Sequence, residues 1–209
     1  MAEHIVDLDT WPRAAQFWFF RSYAQPHYAT TVRIDVTDLM QVRKGQGVNV
    51  YRACLYAIGA GLHAVPELCM RFRGDDVVRH DRIALSMTVP TQAGAFNYAY
   101  VPFAPDFSAF DAQCKSLIAA AAQTSALGAN SGQRDDVAYL SCLPWLDYTS
   151  INNALPGPDD CIPRVSWGKI VPRGDGWDMA MTLEVHHALV DGAQVGAYFD
   201  AVQGALDGI

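Results

Sequence analysis

Residues Trp177–Leu206 read WDMAMTLEVHHALVDGAQVGAYFDAVQGAL, two different local patterns joined by a short polar junction. Trp177–His187 is a dense apolar run of strand type, whereas Ala193–Leu206 spaces its apolar residues as a helix does. The junction, His186-His187-Ala188-Leu189-Val190-Asp191-Gly192, gathers two histidines, an acid and a glycine. A histidine where a strand ends is aimed by the backbone. A general base needs that aim, together with an unprotonated ring nitrogen and a pKa near the working pH. His187, immediately before the turn, is the candidate, while His186 alternates to the opposite face and is expected to pack. Asp191, four residues beyond His187, is placed either to orient the ring or to hold the backbone of the turn. Gly192 is expected to permit a tight turn and a close helix approach.

Working outward, Leu8-Asp9-Thr10-Trp11-Pro12 reads as a helix start, with Asp9 or Thr10 as cap and the helix running to about Arg21. His27–Val36 alternates as a strand, and Asp35–Lys44 reads as a short helix. Asn49 caps an Ala/Leu/Ile-rich helix over Val50–Ala64 that stops at Pro66. From Met70 the period changes: Arg71–Arg82 reads as a hairpin turning at Gly74-Asp75-Asp76, and Ile83–Val89 and Asn97–Val101 as two further strands. Phe107–Ala126 is the longest helical pattern, followed by a Gly/Asn/Ser loop at 128–132. Strands are then expected around Val137–Cys142 and Val165–Val171. The last of these turns through Pro172–Gly176 into Trp177–His187. No repeat, linker or low-complexity tract divides the chain, so residues 1–209 are expected to form one domain. Its class is α/β, an α+β two-layer sandwich with a mixed sheet packed against helices.

Composition narrows the function classes. The chain has 209 residues, 51% of them hydrophobic and 18% charged, enough for one sizeable core and without disordered bias. A formal charge of -7 argues against a nucleic-acid partner, since phosphate backbones want a basic face. Met1–Asp7 has no basic region followed by an apolar run, so no secretory signal is expected. No stretch reaches the roughly 20 apolar residues that a membrane helix needs. Cys54, Cys69, Cys114, Cys142 and Cys161 are scattered, odd in number and without metal-ligand spacing. Reduced thiols in a cytoplasm and no bound metal are the expectation.

The terminal HHxxxDG pattern is the signature of acyltransferases that use acyl-CoA or carrier-bound thioesters, and three further elements narrow the resemblance. Trp11-Pro12-Arg13 stands where the chloramphenicol acetyltransferase family carries Trp-x-Arg. Pro144-Trp145-Leu146-Asp147-Tyr148-Thr149-Ser150 is similar to its Pro-Trp-x-x-Phe-x-Ser, and Val165-Ser166-Trp167-Gly168-Lys169 to its Phe-Thr-x-Gly-Lys strand. All four follow the family's order and together span nearly the whole chain. Dihydrolipoyl acyltransferase cores and peptide-synthetase condensation domains share the terminal motif. The former usually carry a different version of it behind lipoyl domains, and the latter are about twice as long.

The resemblance implies an acetyl-CoA-dependent O-acetyltransferase acting on a hydroxyl of chloramphenicol by direct transfer, with acetyl-CoA as co-substrate and no tightly bound cofactor. His187 is implied as the base, Ser150 as the oxyanion donor, and Asp191 as the partner of Arg13, keeping the site rigid. Ser166 stands at the threonine that meets the transition state through water, and Lys169 near the cofactor. Ile170 replaces an aromatic residue common after that lysine. The acceptor wall maps onto Phe19, Phe20, Ala24, Pro26, Tyr28, Phe96, Tyr98 and Tyr148, in a homotrimer whose sites lie between subunits. Gln25-Pro26-His27-Tyr28 departs from the family's Pro-Cys-Gly-Phe and makes that wall more polar. Two other functions compete: an acyltransferase for a different small hydroxyl or amine acceptor, and a non-catalytic trimer that binds a small molecule.

Overall fold

The computed structural model describes residues 2–91, 94–124, 126–130 and 134–209. Among these residues five α-helices and ten strands follow in the order β1 (Glu3–Ile5), α1 (Ala14–Arg21), β2 (His27–Asp35), α2 (Thr37–Gln41), α3 (Val50–Ala64), β3 (Met70–Arg73), β4 (Asp76–His80), β5 (Ala84–Pro90), β6 (Phe96–Pro102), α4 (Phe107–Gln123), β7 (Val137–Cys142), β8 (Arg164–Trp167), β9 (Val171–Arg173), β10 (Gly176–His186) and α5 (Gly192–Asp207). β1, β4 and β3 form a small antiparallel sheet. The main sheet runs β2-β10-β8-β7-β5-β6, with β9 paired to the start of β10. It is mixed: β7 lies parallel to both β5 and β8, and the other pairings are antiparallel.

One face of this sheet carries Met179, Met181, Leu183, Val185, Val165, Trp167 and Leu140 into a core shared with α3 and α5. Asn49 accepts a bond from the Arg52 amide at 3.0 Å and Asp106 one from Ala109 at 2.8 Å, so two of the core helices start at side-chain caps. Gly61 lets α3 and α5 touch: a Cβ there would lie 2.6 Å from Val202 and 2.9 Å from Tyr198. No described helix is long and apolar enough to cross a membrane.

The opposite face of β10 is polar yet equally buried, presenting Asp178, Thr182, Glu184 and His186. In register, Thr31, Thr182, Ser166 and Ser141 line up across four strands. Segment 143–163 covers much of this face. Tyr148 bonds to the Ser166 carbonyl at 2.7 Å, Asn153 to Glu184, and His186 Nε2 contacts the Pro158 carbonyl at 2.9 Å. Polar groups packed this way need partners, because each unpaired one costs about 1–3 kcal/mol.

Several element boundaries differ from the sequence reading. α1 begins at Ala14 rather than at an Asp9 or Thr10 cap, because Asp7 captures the Asp9 amide (3.1 Å) and the Thr10 hydroxyl (2.9 Å) in a turn of its own. The expected Val165–Val171 strand breaks at Gly168-Lys169-Ile170. There the Lys169 amide turns to the Leu146 carbonyl at 2.8 Å, and a Cβ on Gly168 would lie 2.6 Å from the same oxygen. The Asp35–Lys44 helix splits into α2 and a 3-10 turn over Arg43–Gln46. α4 stops at Gln123, and the part of the 128–132 loop at 131 and 132 lies outside the described residues. β1 and β9, three residues each, were not expected. Gly192 has neither positive φ nor a close neighbour, so the turn does not need a glycine there.

Candidate active site

β10 ends at His186, and His187 is the first residue past it, held by its own amide bonding to the Pro26 carbonyl at 2.9 Å. The His187 ring lies flat on Phe20, centroids 3.8 Å apart and planes 9° apart, with Tyr28 tilted against it at 4.7 Å. Arg13 reaches across from the start of α1. Its guanidinium forks onto both carboxylate oxygens of Asp191 and bonds the His187 carbonyl at 3.2 Å. A bidentate pair of this kind fixes geometry as well as charge. Asp191 Oδ1 also lies 3.2 Å from His187 Nδ1 but off the hydrogen-bonding direction, leaving that buried nitrogen without a partner. Nε2 makes no hydrogen bond among the described residues, and the side chain is 35% exposed. The turn is therefore braced through Arg13, while Nε2 of the ring stays unbonded.

His186 is buried between His27 and Phe72, and its Nδ1 accepts the Ala188 amide at 3.1 Å. Burial pushes its pKa down to about 4, with His27 adding to the effect. Burial also holds the Tyr28 phenol high, at about 12, helped by the Asp191 charge. The Tyr28 hydroxyl donates to the Val190 carbonyl at 3.2 Å, a further tie on the turn.

Ser150 sits exposed on the segment after β7, and its hydroxyl bonds to nothing among the described residues of its own chain. Ser166 is buried in β8 with its Oγ unpartnered. Three cavities mark the polar face and its rim. One of about 480 Å³ is lined by Ala24, His27, Tyr28, Asn153 and Glu184. It shares Asn153 with a second of about 320 Å³, whose walls include Ser86, Tyr98, Tyr139, Ser141 and Arg164. That one shares Thr88 with a third of about 440 Å³, walled by the apolar Tyr51, Cys54, Trp145, Trp167, Gly168 and Ile170. Lys169 is exposed beside the third. Neither His187 nor Ser150 lines any of the three. Pro26 is buried, whereas Phe19 and Phe96 are more than half exposed, at 56% and 52%. Phe96 packs edge-on against Tyr98 at 5.6 Å.

Glu184 and Arg164, both buried on this face, were not singled out from the sequence. A lone charge inside the apolar run Met179–Val185 was the signal for the first. The partner of Arg164, Asp160 at 2.6 Å, lies in an irregular segment that no periodicity marks.

The fold is that of an acetyltransferase. It superposes on a solved chloramphenicol acetyltransferase with a TM-score of 0.91 at 24% identity, covering 98% of this chain and 100% of that one. It also superposes on a probable dihydrolipoamide acetyltransferase from Listeria monocytogenes with a TM-score of 0.68 at 16% identity, covering 94% and 90%. In sequence, chloramphenicol acetyltransferase 2 of Escherichia coli is 24% identical over 206 residues, 98% of this chain and 97% of that protein. A sequence profile of the family described as chloramphenicol acetyltransferase matches residues 1–203. The chain belongs to the chloramphenicol acetyltransferase family and is an acyltransferase.

Proposed function

We propose that the protein transfers the acetyl group of acetyl-CoA directly to a hydroxyl of chloramphenicol, with His187 as general base. The observation that carries this reading is the strand-end histidine: its ring is stacked on Phe20, its backbone carbonyl is held by Arg13 of the Arg13–Asp191 pair, and its Nε2 is free of hydrogen bonds among the described residues. Nε2 takes the proton of the acceptor hydroxyl as that oxygen attacks the thioester carbonyl. The new C–O bond forms, and the oxyanion accepts a hydrogen bond from Ser150. Collapse breaks the C–S bond, and the proton passes from His187 to the departing CoA sulfur. A single donor in Ser150's role supplies about 3 kcal/mol. Burial raises all five thiols, which favours direct transfer over an acyl-enzyme on cysteine.

The same reading assigns acceptor contacts to Phe19, Phe20, Ala24, Pro26, Tyr28, Phe96, Tyr98, Tyr148 and Ser166, and the thioester arm to the apolar cavity beside Lys169. It makes the working unit a homotrimer with sites between subunits, in the cytoplasm. Exposed Phe19, Phe96 and Trp145, the last at 77%, support a surface that a second copy covers. The Ser150 hydroxyl, unbonded among the described residues, supports a site completed across that surface. A second reading, transfer to a different small hydroxyl or amine acceptor, is favoured by the hydroxyl-rich lining of the 320 Å³ cavity.

Free CoA released from acetyl-CoA, measured with chloramphenicol and a panel of other alcohols and amines, tests both readings. Release with chloramphenicol well above its absence supports the first, and release only with another acceptor selects the second. No release with any acceptor would refute both. Sedimentation of an active monomer would refute the shared site.

A further inference from the structure

Glu184 is the only ionisable residue of β10 between Asp178 and His186, and it is 4% exposed. A buried carboxylate is costly unless bonded, and it is normally paired with a cation. Among the described residues Glu184 forms no ion pair. Its register neighbour on β8, Arg164, is engaged by Asp160. Instead one oxygen, Oε2, accepts both the backbone amide of Asn153, at 2.9 Å, and its side-chain Nδ2, at 2.7 Å. The charge is therefore spent on a single loop residue, in two bonds of the stronger, charge-assisted kind.

Asn153 lies three residues after Ser150. On the other side, two residues before Ser150, the Tyr148 hydroxyl donates to the Ser166 carbonyl at 2.7 Å and accepts from Thr182 Oγ1 at 3.2 Å. Among the described residues Ser150 itself makes no bond that would fix it. Its place over the sheet is set by these two anchors and by the Arg33–Asp147 ion pair, 2.6 Å, three residues before it; of the charged ties only the Glu184 clamp is buried. The later ties of the segment, at Pro158 and Asp160, lie eight and ten residues away in sequence.

We propose that Glu184 is a positioning residue for the oxyanion donor: its buried carboxylate clamps Asn153 and, with Tyr148 on the other side, fixes the Ser150 hydroxyl where the tetrahedral oxyanion forms. This rests on Ser150 as oxyanion donor, and it holds whichever protomer supplies His187. Glu184 also lines the 480 Å³ cavity with Ala24 and Tyr28, and the KM values separate positioning of Ser150 from a contact with the acceptor.

The test is a kinetic cycle on the full-length enzyme with Glu184→Ala, Ser150→Ala and the double variant, reading kcat and both KM values. Glu184→Ala lowers kcat by roughly 10–100-fold, the cost of an ångström-scale misplacement, with both KM values unchanged. The double variant is no slower than Ser150→Ala alone. Glu184→Gln, whose amide oxygen still accepts both Asn153 donors, recovers most of kcat. Should Glu184→Ala fold poorly, Asn153→Ala, which deletes only the side-chain bond, gives a smaller loss of the same kind. Losses that multiply in the double variant, or a rise in KM at constant kcat, overturn the clamp while leaving Ser150 in its role. Full activity in Ser150→Ala overturns the oxyanion donor and the clamp with it.

Discussion

Arg13 joins the first helix to the catalytic turn, and removing it should show in stability and in rate together. Arg13→Ala deletes the fork onto Asp191 and the bond to the His187 carbonyl in one step. The guanidinium side is 11% exposed and the carboxylate 36%, so the pair lies between two limits. An exposed pair is worth about 0.2–1 kcal/mol, whereas breaking a buried one costs about 3–5 kcal/mol. We expect a loss of about 2–3 kcal/mol, equivalent at this chain length to a fall of roughly 5–10 °C in midpoint. Asp191→Asn, which strands the guanidinium, should cost about as much. The double variant should recover part of the loss, giving a coupling energy of about 1.5 kcal/mol. Each single variant should also lower kcat by roughly 10–100-fold, because the turn that aims His187 loses its tie. Urea melts and CoA-release kinetics on the four proteins measure both quantities. A coupling below about 0.5 kcal/mol, the level of an ordinary surface pair, would refute the brace.

His186 is held neutral by burial, its pKa lowered to about 4. The unfolded chain, with an ordinary histidine pKa near 6.5, takes up the proton first on acidification. Stability from this group is therefore complete above about pH 6.5 and falls as pH drops from about 6.5 towards 4, by roughly 3 kcal/mol in all. Melts of His186→Asn should lack that acid-side slope; an unchanged slope would assign it to other groups. Gly61→Ala and Gly168→Ala each place a Cβ 2.6 Å from a neighbour and should each cost about 1–3 kcal/mol of stability. Only Gly168→Ala, which pushes on the Leu146 carbonyl in the segment leading to Ser150, should also depress kcat, so equal kcat in the two variants would sever that link.

The long elements were legible because their signals are local: Asn49 and Pro66 bracket α3, and the turn at Gly74 sets the β3–β4 hairpin. Errors fell where a distant group decides. The start of α1 moves because Asp7 closes its own turn and the Arg13 side chain is drawn to Asp191. β8 ends early because the Leu146 carbonyl, twenty-three residues before Lys169, takes the amide that a continued strand would have used. The site divides the same way. His187, Asp191 and Arg13 were named from sequence, and the structure brings these three into contact. Glu184 and Arg164 were missed, because a charge on the buried face of a strand acquires meaning only from segment 150–161, whose path has no periodic signature.

The central claim is that Nε2 of His187 moves the acceptor's proton. Steady-state CoA release by His187→Ala, compared with the parent enzyme under saturating acetyl-CoA and chloramphenicol, measures this most directly, with circular dichroism and a thermal melt confirming the fold. The predicted result is a kcat lower by about 10²–10⁴-fold, the range that a positioned general base supplies, with the far-ultraviolet spectrum unchanged. A folded His187→Ala that keeps kcat within about tenfold of the parent, outside that range, would contradict the account.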